Sequence, residues 1–353
     1  MAIQRTGKVQ TVLGLIEPEQ MGITTMHEHI FIDFQARYQE PPEASRVRFG
    51  REPVSMGNLY DVKRAPFDNI DNLYLLDEQE AIDEVMQFKL AGGSTIVDTT
   101  TVGLGRDPRA LTRVARITGL HITMGAGYYI QPSHPADMDE RSEDAIYAQI
   151  VRDIEEGVDG SGIRCGHIGE IGCEQQHPNE MKVVRAAARA QRSTGAMLNV
   201  HQVTLPGGPN AHRIADEIEK SGGDLRRTVF SHLDVTDLDL AYQESLLERG
   251  ITLEYDTWGM DSYLASWNLQ FPSDRDRLRG VLALIEKGWI DQVVLAQDIS
   301  LKIMREKYGG WGYGHILKRI VPRFRLEGLS DAQITTLLVD NPRRLLPFVA
   351  PRD

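Results

Sequence analysis

Two histidines flank a glutamate in TTMHEHIFIDF, residues 24–34. Side chains at i and i+2 of a β-strand share a face, so His27 and His29 would present both imidazoles to one side. Such a pair suits a divalent metal, and it equally suits two unrelated polar residues at a strand end. Further along, single histidines close two apolar runs, His201 in AMLNVHQ and His232 in TVFSHLD. Acids close others: Glu170 in CGHIGEIG, Asp256 in ITLEYDT and Asp298 in VVLAQD. Four imidazoles, one bridging carboxylate and one aspartate would hold two divalent ions, and this mixture of nitrogen and oxygen donors favours zinc or a similar first-row metal. A single histidine at a strand end is more often a satisfied polar residue; recurrence at successive strand ends carries the metal reading. Glu28 would point away from the pair and act structurally. The other six histidines (His121, His134, His167, His177, His212, His315) fall at strand starts, in loops or on helices and are read as structural. Asp98, in IVDTTTVGLGRDP, is read as orienting loops.

One unit recurs among the elements that must position these residues: an amphipathic helix, a glycine near its end, then a short apolar strand. EQEAIDEVMQFKLAGG leads into STIVDTT, EMKVVRAAARAQRSTG into AMLNVHQ and DRLRGVLALIEKG into VVLAQD, among others. Glycine just past a helix relieves the left-handed cap position. Continuous apolar strands are expected of a parallel sheet covered by helices. With GITTMHEHI the strands number eight, which predicts a (β/α)8 TIM barrel whose chemistry sits at the carboxyl ends of its strands. An open doubly wound sheet is the competitor, but no GxGxxG lies between a strand and a helix; GGWGYG at 309–314 follows a loop and reads as a flexible segment. Without a linker or low-complexity tract, one domain over 1–353 is expected, with an amino-terminal hairpin in 1–21 and a packing helix in 330–348.

At 353 residues, 41% of them hydrophobic, the chain can bury a large core. A net charge of −12 argues against nucleic acid or an anionic membrane as the main partner and leaves a small-molecule substrate. No run of eighteen apolar residues exists to span a bilayer, and MAIQRTGKVQTVLGL has no apolar core for a signal peptide. Cys165 and Cys173 lie in one strand-like stretch, where eight extended residues span about 26 Å, beyond disulfide reach. A cytoplasmic, disulfide-free protein is expected.

The pattern resembles the phosphotriesterase family of the amidohydrolase superfamily. MHEHIF, TIVDTT with GRDP, GYY, GHIGEIG, NVHQ, FSHLD, YDTWG, LAQD and DNPRRLL fall in family order along nearly the whole chain. The resemblance implies a buried metal on His27, His29 and Asp298, a second on His201 and His232, a bridging residue from strand 4, and a homodimer. Better-known members bridge with a carboxylated lysine, and CGHIGEIGCE has none. Glu170 is the available substitute, as in the phosphotriesterase homology protein branch. Phosphotriesterase proper carries a histidine after the strand 7 aspartate, where this chain has Thr257, so a proton relay there is not expected.

Two cations beside one water lower its pKa toward neutrality, and Asp298 would take the proton after attack. Tyr129 is expected to contact the hydroxide or substrate, as a tyrosine does in lactonase-type relatives, with Tyr128 facing the other way. Three long segments would set substrate choice: 34–77, the aromatic-rich 258–272 as an apolar lid, and 300–314, where Lys302, Arg305 and Lys307 could meet an anionic substrate. A lactone or carboxylic ester ranks first, since a tethered alkoxide leaves without help, and an amidase acting on small N-acyl compounds ranks second. A non-catalytic protein retaining its metal residues by descent is the reading from another class.

Overall fold

In the computed structural model, residues 5–41, 43–202, 211–236, 238–264 and 268–352 are described. Eight parallel strands follow one another around a barrel: β1 (Thr24–Glu28), β2 (Thr95–Asp98), β3 (His121–Ala126), β4 (His167–Gly172), β5 (Leu198–His201), β6 (Thr228–Phe230), β7 (Thr252–Tyr255) and β8 (Val293–Leu295). Every pair from β1–β2 to β7–β8 is hydrogen-bonded in sequence order. The ring closes just past β8, where the Asp298 N–H donates to the His27 carbonyl at 3.2 Å. The (β/α)8 barrel is therefore the fold.

Helices pack outside the strands and begin where the sequence offers caps. The helix Pro108–Thr118 starts on Asp107, whose carboxylate accepts from the Arg109 and Ala110 amides, and has proline at its first position. It stops at Gly119, held at φ 66°. The helix Pro178–Thr194 ends likewise at Gly195 (φ 73°), where a Cβ would meet the Val349 carbonyl oxygen at 1.9 Å.

The amino-terminal hairpin pairs Val9–Thr11 with Gly14–Ile16, and Val12 N–H donates to the Ile122 carbonyl at the start of β3. Val9 and Met21 pack with Met26, Val97, Val229 and Val294 from inside the barrel, and Leu345 and Leu346 join them. The hairpin and the last helix thus fill the amino end of the barrel, leaving its carboxyl end open. The 330–348 segment is helical from Asp331 to Leu345, with a π-helical stretch at Thr336–Asp340. Two register irregularities interrupt the ladder, between Thr25 and Glu28 on β1 and between Ile168 and Ile171 on β4. Irregularities of this kind re-aim side chains beside functional sites, and these two bracket His27 and Glu170. Among the described residues no helix is long and apolar enough to cross a membrane.

Candidate metal centre

His27, His29, Glu170, His201, His232 and Asp298 meet in one cluster at the carboxyl end of the barrel. Glu170 lies at its centre. Its Oε1 is 3.2 Å from His29 Nε2, and its Oε2 is 3.0 Å from His201 Nδ1, 3.6 Å from His27 Nε2 and 4.0 Å from His232 Nε2. Asp298 Oδ1 approaches His29 Nε2 at 3.4 Å and His27 Nε2 at 3.9 Å. His232 and Asp298 follow their strands by two and three residues rather than ending them, and both take left-handed backbone, φ 60° and 47°. Non-glycine residues held there are strained, a feature concentrated at functional sites.

Each imidazole has an outer partner that fixes which nitrogen faces inward. His27 Nδ1 lies 3.0 Å from Glu254, itself held by Asn199 and Ser231 at 2.8 Å each. His29 Nδ1 lies 2.9 Å from Thr100 Oγ1, whose own proton goes to the Phe31 carbonyl. His232 Nδ1 donates to Asp256 at 3.0 Å, and His201 Nε2 to Glu174 at 2.9 Å. Acceptors on the outer nitrogens leave lone pairs on the inner ones: Nε2 of His27, His29 and His232, and Nδ1 of His201. Imidazoles that ligate metals are oriented in this way.

The inward atoms fit cations better than they fit one another. His27 Nε2 and Glu170 Oε2 are buried without a hydrogen-bond partner, so the 3.0 Å approach of Glu170 to His201 is contact without hydrogen-bond geometry. His201 Nδ1 faces His232 Nε2 at 2.7 Å, lone pair toward lone pair once both outer nitrogens donate. Burial pushes His27 and His29 down, yet the surrounding carboxylates raise both to about 10, Glu170 and Glu254 acting on His27 and Asp298 and Glu170 on His29. Burial among Glu254, Asp234 and Asp298 also lifts Asp256 well above the usual carboxylate range. The cluster is short of positive charge. His27, His29 and Asp298 offer one set of donor atoms that could hold a metal, and His27, Glu170 and His232 another.

Tyr129, buried, brings its hydroxyl to 3.2 Å from His201 Nε2, whereas the Tyr128 hydroxyl accepts from Arg141. Burial lifts the Tyr129 hydroxyl well above its ordinary range, so it stays a neutral donor. Asp98 accepts from the Ile30 and Thr100 amides, a loop-orienting role. Thr257 donates to Asp234 at 2.6 Å while Arg277 clamps both, leaving no titrating group in that position. Four partners escaped sequence reasoning: Arg37, Thr100, Glu174 and Glu254. Glu254 carried a signal, since Glu254 and Asp256 form an i, i+2 acid pair that mirrors His27 and His29.

Above the cluster opens a cavity of about 200 Å³, lined by Phe34, Arg37, Lys63 and Phe67 from one loop and by Met260, Leu264, Leu269 and Phe271 from another. The segment expected to form an apolar lid thus contributes apolar side chains to the cavity wall; its residues 265–267 lie outside the described residues. The third segment differs from expectation. Lys302 pairs with Asp71 at 2.6 Å, and Arg305 and Lys307 pair with Glu80 at 3.0 and 2.7 Å, so these cations brace loops instead of facing a substrate. Nor is GGWGYG a loose segment: Tyr313 is fully buried with its hydroxyl on the His29 carbonyl at 2.7 Å, and Trp311 lines the cavity. Lys63 is half-buried at the cavity wall and makes no ion pair among the described residues.

The phosphotriesterase family model matches residues 7–346. An N-acetyltaurine hydrolase from Salmo salar is 39% identical, the alignment covering 97% of this chain and 99% of the relative. A resiniferatoxin-binding protein from Rhodobacter sphaeroides superposes with a TM-score of 0.93 at 42% identity, over 97% of this chain and 95% of that one. The phosphotriesterase homology protein from Escherichia coli, with phosphate in its active site, gives 0.76 at 25% identity over 93% and 99%. Barrel, cluster and similarity agree, and this chain belongs to the phosphotriesterase family as a hydrolase.

Proposed function

We infer that the chain hydrolyses the amide bond of a small N-acyl compound whose amine half carries an anionic group, using two divalent ions, zinc by donor type. The observation that carries this reading is the set of four imidazole lone pairs turned onto Glu170 and Asp298 beneath a pocket whose Lys63 makes no ion pair among the described residues. His27, His29 and Asp298 would hold one ion, His201 and His232 the other, and Glu170 both. Relatives described as N-acetyltaurine hydrolases, 37–39% identical, support an amide with a sulfonate on its amine side. That reverses the order expected from sequence alone, where the ester or lactone came first.

Two divalent ions held there would polarise the scissile carbonyl and lower the pKa of the attacking water. The side chains do the rest. Asp298, partly open to the pocket, accepts the proton of the attacking water and returns it to the leaving nitrogen, a step amides require and lactones do not. Tyr129 donates to the carbonyl oxygen as charge develops there, its oxygen fixed by Arg37 at 2.8 Å. The apolar wall of Phe34, Phe67, Leu264 and Phe271 accepts the acyl group and keeps bulk water out.

Ester or lactone hydrolysis stands as the second reading, because Asp298 alone suffices when the leaving alkoxide stays tethered. A side-by-side panel on zinc-loaded protein separates them: N-acetyltaurine, an N-acetyl amino acid, a neutral N-acetyl amine, a γ-lactone and a phosphotriester. The anionic amides should exceed the lactone and the phosphotriester in kcat/KM by at least about tenfold, or roughly 1.4 kcal/mol. A lactone preference installs the second reading, and no turnover of any member overturns both.

A further inference from the structure

Three of the four imidazoles take their outer partners from the barrel strands or the turns directly beyond them: Glu254 within β7, Asp256 and Thr100 just past β7 and β2. The partner of His201, Glu174, stands two residues past β4, as Thr100 does past β2, but it alone is held by a distant cation: Arg37, which follows β1 and lies 137 positions away in sequence. Arg37 Nη1 donates to Glu174 Oε2 at 2.9 Å, Nη2 pairs closely with Oε1, and Nη2 also reaches the Tyr129 hydroxyl at 2.8 Å. The two side chains are only 9% and 12% exposed. A forked, desolvated pair of this kind has little freedom to move. Arg37 also lines the substrate cavity.

We propose that Arg37 and Glu174 form a positioning dyad for one half of the centre, holding the His201 ring so that Nδ1 faces inward and thereby setting the affinity of the ion shared by His201 and His232. The inference rests on the two-ion reading above. His27 and His29 are oriented without the dyad, so the ion they hold with Asp298 is insulated from it. The same guanidinium fixes Tyr129, which makes that half of the site the one answerable to the loop that also meets substrate. Neither residue touches a reacting atom in this account; both act through His201 and Tyr129.

The test is a zinc titration against a chromophoric chelator, on wild type, Glu174→Gln, Arg37→Met and Glu174→Asp, with melting curves as the folding control. Wild type should bind two ions. Glu174→Gln and Arg37→Met should keep the first with unchanged affinity and bind the second 10–100-fold more weakly, the range for losing an outer partner of a metal-bound histidine. Glu174→Asp should recover part of that loss, and saturating zinc should return kcat of Glu174→Gln to within about threefold of wild type. Equal affinity for both ions in the variants, or loss of the two ions together, overturns the dyad. A wild type that binds fewer than two ions overturns instead the two-ion reading on which it rests.

Discussion

The Glu28 carboxylate grips the chain on both sides of Asp298, accepting from the Gln297 and Ile299 amides at 3.0 Å each. Thr25 adds a third donor at 2.6 Å. Glu28 faces away from the cluster, as its place between two inward histidines requires, yet it fixes the strained backbone that aims Asp298 inward. Glu28→Gln replaces one acceptor oxygen with an amide group and leaves a buried N–H facing it, at a cost of about 1–3 kcal/mol. We expect a lower melting temperature and a kcat reduced at least tenfold at saturating metal. Unchanged stability and turnover would show that Asp298 is held by other means.

Asp298→Asn keeps an oxygen near His29 but removes the proton acceptor. Turnover should fall by roughly 10²–10⁴ while metal content changes less. Near-normal turnover in a metal-replete variant would assign the proton to another group.

Lys63 is the cavity cation without a carboxylate partner among the described residues. Lys63→Met should raise KM for an N-acyl amino sulfonate by about tenfold, leave kcat within twofold, and leave a neutral N-acyl amine unaffected. Added salt should mimic the effect in wild type. Equal KM changes for charged and neutral substrates would remove Lys63 from recognition.

His167, fully buried at the start of β4, is pushed down to about 3 by burial and by His27. The unfolded chain binds this proton below about pH 6.5 and the folded one does not, so stability present at neutral pH is lost as pH falls. Between pH 7 and pH 5 the loss from this group is about 2 kcal/mol. Denaturant unfolding at both pH values should show that difference in wild type and a smaller one in His167→Gln; identical slopes would clear His167.

The barrel and the six cluster residues were readable from sequence because each sits in or just past an apolar run; His232 and Asp298 lie past their strands and take their aim from left-handed backbone, whereas inside a strand the period of two says which face a residue takes. Tyr129 was separable from Tyr128 for the same reason. Loop partners had no such period. Nothing local links Arg37 to Glu174, or Lys302 to Asp71, since each pair is made by two loops meeting in space. The basic run after β8 therefore looked open to substrate when its charges were already taken. GGWGYG looked loose because its glycines are visible in sequence, whereas the burial of Tyr313 against His29 is not.

The central claim is that Glu170 joins two ions, and elemental analysis of dialysed Glu170→Ala beside wild type tests it most directly. Wild type should carry close to two divalent ions per chain and the variant no more than one, because no other carboxylate among the described residues reaches both His29 and His201. Two tightly held ions in Glu170→Ala would contradict the account.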